Sequence, residues 1–176
     1  GFLLNDLGAF GTPLMYCFRE REKILDLFEI LCGARITLSY MRPGGIFQDT
    51  PQEFWGDLEL FLESMPNQID ELESLITGNE IVLSRTRDVG ILTPEQVIDA
   101  SLSGPMLRAS SVKWDLRKAN PYEIYDEIDF DVPIGATGDT FDRYLIRIKE
   151  MRESIKIITQ CINLIKPGPV RNEDVP

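Results

Sequence analysis

Histidine is absent from this sequence of 176 residues. The commonest acid-base group and metal ligand is therefore missing, and a self-contained catalytic site would need carboxylates, tyrosine, lysine or cysteine. Cysteine is sparse. Cys17, Cys32 and Cys161 are odd in number and far apart, so neither a CxxC metal pair nor a disulfide framework is indicated, and a reduced compartment fits. Bases are outnumbered, 18 against 29 acids, for a net charge of -11, and no run of five or more bases occurs. That balance disfavours a nucleic-acid surface and electrostatic docking on anionic lipid. No apolar run approaches the ~18 residues that cross a bilayer, and Gly1-Phe2-Leu3-Leu4 lacks the basic start of a signal peptide. GxGxxG, GxxxxGK(S/T), HExxH and GxSxG are all missing, which leaves nucleotide, zinc and serine-hydrolase readings without support.

What is present reads as mainly α. At 43% apolar composition the chain can bury one core, so residues 1–176 are expected to form a single helical domain, with 167–176 as a truncated linker. The sequence begins without an initiator methionine, in the middle of an element, and is expected to be an internal piece of a longer protein. Leu14, Cys17, Phe18, Leu25, Phe28 and Leu31 recur at helical spacing and predict a helix over 13–32, stopped by Gly33 and solvated along Arg19-Glu20-Arg21-Glu22-Lys23. Asp6, among Phe2, Leu3, Leu4 and Leu7, is either a helix cap or a buried group needing a partner.

Thr50-Pro51-Gln52-Glu53, Thr93-Pro94-Glu95-Gln96 and Asn120-Pro121-Tyr122-Glu123 each place a capping side chain before a proline and predict three helix starts. The first helix carries Phe54 to Ile76, with a kink expected at Pro66 and a cap at Gly78. A short strand is predicted around Ile81-Val82-Leu83, an irregular loop over Met106 to Lys118, and an extended edge segment over 128–134. Phe141, Tyr144, Ile148, Met151, Ile155, Ile158, Ile162 and Ile165 predict a long helix of a bundle. Pairs such as Glu127 with Asp129 arise freely in an acidic chain and do not make a glycosidase dyad.

The stretch from Arg35 to Asp49 separates two long amphipathic segments, and Arg42-Pro43-Gly44-Gly45 at its centre combines a fixed φ, two unrestricted backbones and a permanent cation. Such a loop is either a plain turn or a place where backbone approaches a partner closely. Gly33-Ala34-Arg35, Tyr40-Met41, Arg42-Pro43-Gly44-Gly45 and Gln48-Asp49 resemble the quinone-side 49 kDa subunit of respiratory complex I. The same likeness continues through Asp6-Leu7-Gly8-Ala9, Glu20 to Lys23, Arg85-Thr86 with Asp88, Ser103-Gly104 with Met106-Leu107-Arg108, Trp114 to Lys118, Pro121-Tyr122, Phe130 to Pro133 and Gly138-Asp139 with Asp142-Arg143-Tyr144.

This resemblance implies a bundle descended from the nickel-iron hydrogenase large-subunit fold, forming one wall of a quinone cavity in an NADH:quinone oxidoreductase. It implies no cofactor held by the chain itself: the 4Fe-4S cluster lies in an adjacent subunit and NADH is used elsewhere in the complex. Implied partners are the cluster-bearing subunit, a subunit of the C type and the membrane quinone-channel subunit, at the cytoplasmic face of the bacterial inner membrane or the equivalent matrix side. The quinone-binding His and Tyr of the family fall outside this sequence, so the piece alone is expected to be inactive. Asp6 matches the family Asp that partners that His. It is expected to be buried and to tune the His proton affinity. Arg35, Thr37, Arg42, Gly44 and Gly45 match the loop facing the cluster.

Two departures stand out. Thr37 replaces a His common in the family, which implies a weaker pH dependence of the cluster potential and a lower-potential quinone such as menaquinone. Ser111 stands where the family pattern has Gly, which puts a left-handed backbone there in question. The alternative reading is the large subunit of a nickel-iron or membrane-bound hydrogenase, whose four Cys ligands would lie in CxxC pairs outside this stretch. A helical interaction domain without redox involvement is the third. Self-association through a bare Phe141 to Ile165 stripe is expected of the isolated piece.

Overall fold

The structure is a computed structural model that describes residues 1–9 and 11–172. Helix α1 (Phe2–Leu4) runs into a wide turn, Asn5–Ala9, and then α2 (Gly11–Cys32), which ends where the Gly33 amide donates to Glu29 O at 2.7 Å. A hairpin follows, β1 (Met41–Arg42) and β2 (Gly45–Ile46), then α3 (Gln52–Ile76), α4 (Glu80–Thr86), α5 (Pro94–Asp99), α6 (Gly104–Ala109), α7 (Leu116–Ala119) and α8 (Thr140–Leu164). The protein is mainly α, as its periodicity predicts.

Helix α3 lies between α2 and α8, and α6 packs on α8. The main core joins Leu4, Ile69, Ile76, Val82, Phe141, Tyr144 and Ile148, so it ties α1, α3, α4 and α8 together. Burying each such side chain contributes roughly 1.5–3 kcal/mol of hydrophobic free energy. Polar links register the helices: Tyr144 and Thr77 hydroxyls meet at 3.0 Å, and Arg152 of α8 reaches Asp70 and Glu73 of α3 at 2.7 and 2.6 Å. A second cluster packs Ile128 and Phe130 of an extended segment on Ile157 of α8. The 128–134 segment is thus extended with one buried face, as its alternation predicts, but it pairs with no strand among the described residues: the Asp129 and Asp131 amides donate to Gln160 and Glu153 side chains of α8 at 2.9 and 2.8 Å.

Several local expectations are overturned. Ile81-Val82-Leu83 is not a strand. Asn79 accepts from the Ile81 and Val82 amides at 3.0 and 3.2 Å and starts α4, which buries Val82 and Thr86 and exposes Ile81. A three-residue apolar run does not distinguish helix from strand, and the cap decides it. The capping box at Thr93 and Gln96 forms as expected. Thr50 caps nothing: its hydroxyl meets Tyr40 Oη at 3.2 Å, and Pro51 precedes α3 without a side-chain cap. Pro121 starts no helix, and 123–127 is a series of turns.

Helix α3 runs unbroken through Pro66 and ends at Thr77 in right-handed geometry, so Gly78 is not its left-handed cap. The stretch 106–118 runs from within α6 into α7, and only 110–115 between them is irregular. Finally, the Phe141 to Ile165 stripe is not bare at its start, whereas Ile165 at its end is exposed. Its first half is buried against α3 and α4, and α8 has a second buried face at Ile146 and Ile157. Residues 167–169 have no regular structure and 170–172 bond to the hairpin, while 173–176 lie outside the described residues.

Candidate functional site

The loop between α2 and α3 stands clear of the core. Met41 is 82% and Ile36 63% exposed, and Leu38 and Phe47 are exposed too. An apolar set of this kind at a loop tip marks a contact surface rather than a stabilising element. The hairpin is antiparallel, with Met41 opposite Ile46 and Arg42 opposite Gly45. Its turn is Pro43-Gly44, with Gly44 at φ 83°, which suits a turn needing proline first and a left-handed residue second. Arg42 lies with its guanidinium carbon 4.3 Å from the Phe47 ring centroid and donates from Nε to Ser39 O at 3.3 Å.

Residues 170–172 cross the hairpin and make an isolated antiparallel bridge to it, Arg171 opposite Gly45. The Ile46 amide donates to Val170 O at 2.9 Å, and the Asn172 amide donates to Gly44 O at 2.7 Å. Gly45, at φ 152°, sits so close that a Cβ there would collide with Val170 O. Only glycine permits that approach.

Arg35 is placed differently from Arg42. Its guanidinium folds back on α2 and donates to Asp26, to Glu29 at 3.2 Å and to Glu22. The hydrogen bond to Asp26, then that to Glu29, hold its pKa above the usual arginine range. The group is solvent-exposed, so these bonds orient the loop's entry more than they stabilise the fold. Thr37 is exposed at φ 58°, an unusual conformation for a β-branched side chain, and its hydroxyl donates to Ile36 O at 2.6 Å.

Asp6 is exposed, not buried, and has no hydrogen-bond or ionic partner among the described residues. On a helical turn, residues two apart face different ways, so while Leu4 enters the core Asp6 points out. Helix α2, whose 22 residues span roughly 33 Å, separates Asp6 from the loop. The structure therefore brings Arg42, Gly44 and Gly45 together, turns Arg35 away from them and leaves Asp6 at the far end of α2.

A buried ion cluster escapes sequence reasoning in part. Arg108 of α6 donates from Nε to Glu150 of α8 at 2.7 Å and from Nη1 to Trp114 O at 3.2 Å, and lies 3.4 Å from Asp115. Asp115 also accepts from Arg117 Nε and Nη2 at 3.0 and 2.7 Å. The polar density of 108–118 flags three of the four charges, but nothing in the sequence around Glu150 distinguishes it from surface acids. Similarly, Asp142 accepts from the Ala136, Thr137 and Gly138 amides at 2.9, 2.6 and 3.2 Å, folding the turn before α8 around one carboxylate. Both clusters are internally satisfied and serve the fold. Among the described residues no group of His, Cys, Asp and Glu is arranged to hold a metal ion, and no helix is long and apolar enough to cross a membrane.

Comparison with known proteins gives these features a context. The chain is 51% identical over 170 residues to the D subunit of the NADH-quinone oxidoreductase of Dehalococcoides mccartyi, covering 97% of this chain and 46% of that protein. It is 54% identical over 162 residues to an NADH-quinone oxidoreductase D subunit of Roseiflexus sp., covering 92% and 43%, and 48% identical over 169 residues to that of Paramagnetospirillum magneticum, covering 96% and 43%. The chain thus spans less than half the length of these relatives. They do not favour the hydrogenase alternative. Residues 6–176 match the family described as respiratory-chain NADH dehydrogenase, 49 Kd subunit, and the chain belongs to that family.

Proposed function

We propose that this chain is part of the quinone-reducing subunit of an NADH:quinone oxidoreductase, a translocase, and forms part of the wall of the quinone cavity beside a neighbour's 4Fe-4S cluster. The observation that carries the reading is the exposed hairpin: in a chain of this family, a tight glycine-lined turn with apolar flanks is held out of its own core. Arg42, Gly44 and Gly45 form the cluster-facing tip, with Thr37 beside it. Arg42 is the cation that stabilises the reduced cluster, since Arg35 is already compensated by Glu22, Asp26 and Glu29 and acts by orienting the loop. Asp6 faces the quinone cavity, where its charge raises the proton affinity of the histidine that the rest of the subunit supplies.

The chain binds no cofactor of its own. Its partners are the cluster-bearing subunit, a C-type subunit and the membrane quinone-channel subunit, and the assembly is peripheral on the cytoplasmic face of the inner membrane or the matrix side. Descent of the bundle from the nickel-iron hydrogenase large subunit belongs to the same reading. Asp6→Asn and Arg42→Met in the assembled complex are each expected to lower quinone-coupled turnover by roughly tenfold or more. Intact turnover in both variants would show that the two assignments are wrong.

A further inference from the structure

We propose that Arg85 is a positioning residue for Asp6, an inference that rests on the role proposed for Asp6 at the quinone cavity. Asp6 sits on the wide turn Asn5–Ala9, which breaks at Gly8 with φ 89° and leaves the Asp6 carboxylate without a partner of its own among the described residues. A side chain so placed is only as well aimed as the backbone beneath it. The one side-chain bond to that turn comes, among the described residues, from Arg85, whose Nη1 donates to Leu7 O at 3.0 Å. Leu7 O belongs to the Leu7–Gly8 peptide, so this bond fixes the turn's backbone one residue beyond the Cα that carries the carboxylate.

The donor is itself anchored. Arg85 belongs to the last turn of α4, whose Val82 and Thr86 are fully buried, whose start is capped by Asn79 and whose Thr86 hydroxyl donates to Val82 O at 2.6 Å. Val82 shares the core with Leu4, so α4 and the segment leading into the turn are one packed unit. Gly8 completes the arrangement: a Cβ there would lie 3.1 Å from Arg85 Nη1, so the missing side chain is the space through which the guanidinium reaches Leu7. The left-handed Gly8 and the long Arg85 are two halves of one device that holds Asp6 toward the cavity. Arg85 touches no reacting group. It acts through the placement of Asp6, and small displacements of a functional group cost up to roughly a hundredfold in rate.

The test uses the full assembled complex with Asp6→Asn, Arg85→Gln, Arg85→Lys and the Asp6→Asn/Arg85→Gln double variant. Quinone-coupled turnover is expressed per assembled complex across pH. Loss of the Asp6 charge is expected to lower the proton affinity of the partner histidine, moving the limb of the pH profile that it governs to lower pH. Arg85→Gln is expected to move it in the same direction with a loss of turnover on the order of tenfold, to add nothing in the Asp6→Asn background, and to be partly rescued by lysine, which keeps a donor. If Arg85→Gln lowers only the amount of complex, with an unchanged profile, or if its effect adds fully to that of Asp6→Asn, the positioning role is refuted while the role of Asp6 stands. If Asp6→Asn has no effect, the role of Asp6 falls first and this proposal with it. Should Arg85→Gln fail to assemble, Gly8→Ala carries the same comparison, since its Cβ would crowd Arg85 Nη1, and an unshifted profile in that variant refutes the role.

Discussion

Gly45 shows how one missing side chain can hold two distant segments together. With a Cβ the residue would collide with the Val170 carbonyl, so Gly45→Ala must push residues 170–172 off the hairpin. The variant is expected to lose about 1–3 kcal/mol of local stability. Amide exchange at Ile46 and Asn172 should then speed up while the helical core stays protected. Unchanged exchange at those amides would mean that the bridge from residues 170–172 does not hold the turn. Ser111 gives a different lesson. The residue adopts φ 66° despite its side chain, and its hydroxyl donates to Gly135 O at 2.9 Å. Ser111→Gly removes the backbone strain and the bond together, and is expected to be nearly neutral. Ser111→Ala keeps the strain and loses the bond, at a cost of about 1 kcal/mol. Denaturant melts that rank alanine above glycine would contradict this account. At Thr37 the proposed function makes its own prediction. Threonine does not titrate, so the neighbouring cluster's potential should change little between about pH 6 and 8, and Thr37→His should steepen the slope. A steep slope in the native protein would refute the expectation.

Among the elements, α6, α7 and α8 are bound by the Arg108 cluster, and its energetics follow from burial. Arg108 and Asp115 are both 7% exposed at their side chains, so Arg108→Met, which leaves Glu150 without its cation and Asp115 with Arg117 alone, is expected to cost about 3 kcal/mol. Hydrogen bonding from Arg117 holds the Asp115 pKa below its usual 3.8, outweighing the desolvation that opposes it. A carboxylate whose pKa is depressed by folding contributes stability that is fully present above its unfolded pKa, and this contribution is lost as pH falls toward the folded value. The gap in melting temperature between the native protein and Asp115→Asn should therefore be full at neutral pH and shrink below about pH 4. A gap that widens on acidification would reverse the sign.

The elements also divide by how readily their sequences declare them. Helices α2, α3 and α8 are long enough for their apolar spacing to be unambiguous, and α5 carries a complete capping box. Helices α4, α6 and α7 are at most seven residues long, too short to show a period, and are decided by Asn79, by Asp115 and by what they pack against. Pro121 misled because a proline after an Asn is equally a turn signal.

For the molecule as a whole, the Arg42-Pro43-Gly44-Gly45 tip was legible because its backbone demands are written in residue types, and the likeness of residues 6–176 to one subunit family was carried by motifs in a fixed order. Asp6 was expected in the interior and lies outside, since a lone acid among leucines does not reveal which face of its turn meets the core. Arg35 and Arg42 are equal as cations in the sequence, yet one is tied to three acids of α2 and the other lies over Phe47. Composition, periodicity and turn chemistry act through neighbours in the chain, and those alone determined the helical class, the long helices and the turn at Pro43-Gly44, while the strand pairing around that turn was not read from them. Side-chain exposure, the pairing of Gly45 with Val170, the closure of Arg108 on Glu150 and the reach of Arg85 over Gly8 to Leu7 depend on segments tens of residues apart meeting in space, and the packing of the helices decided them.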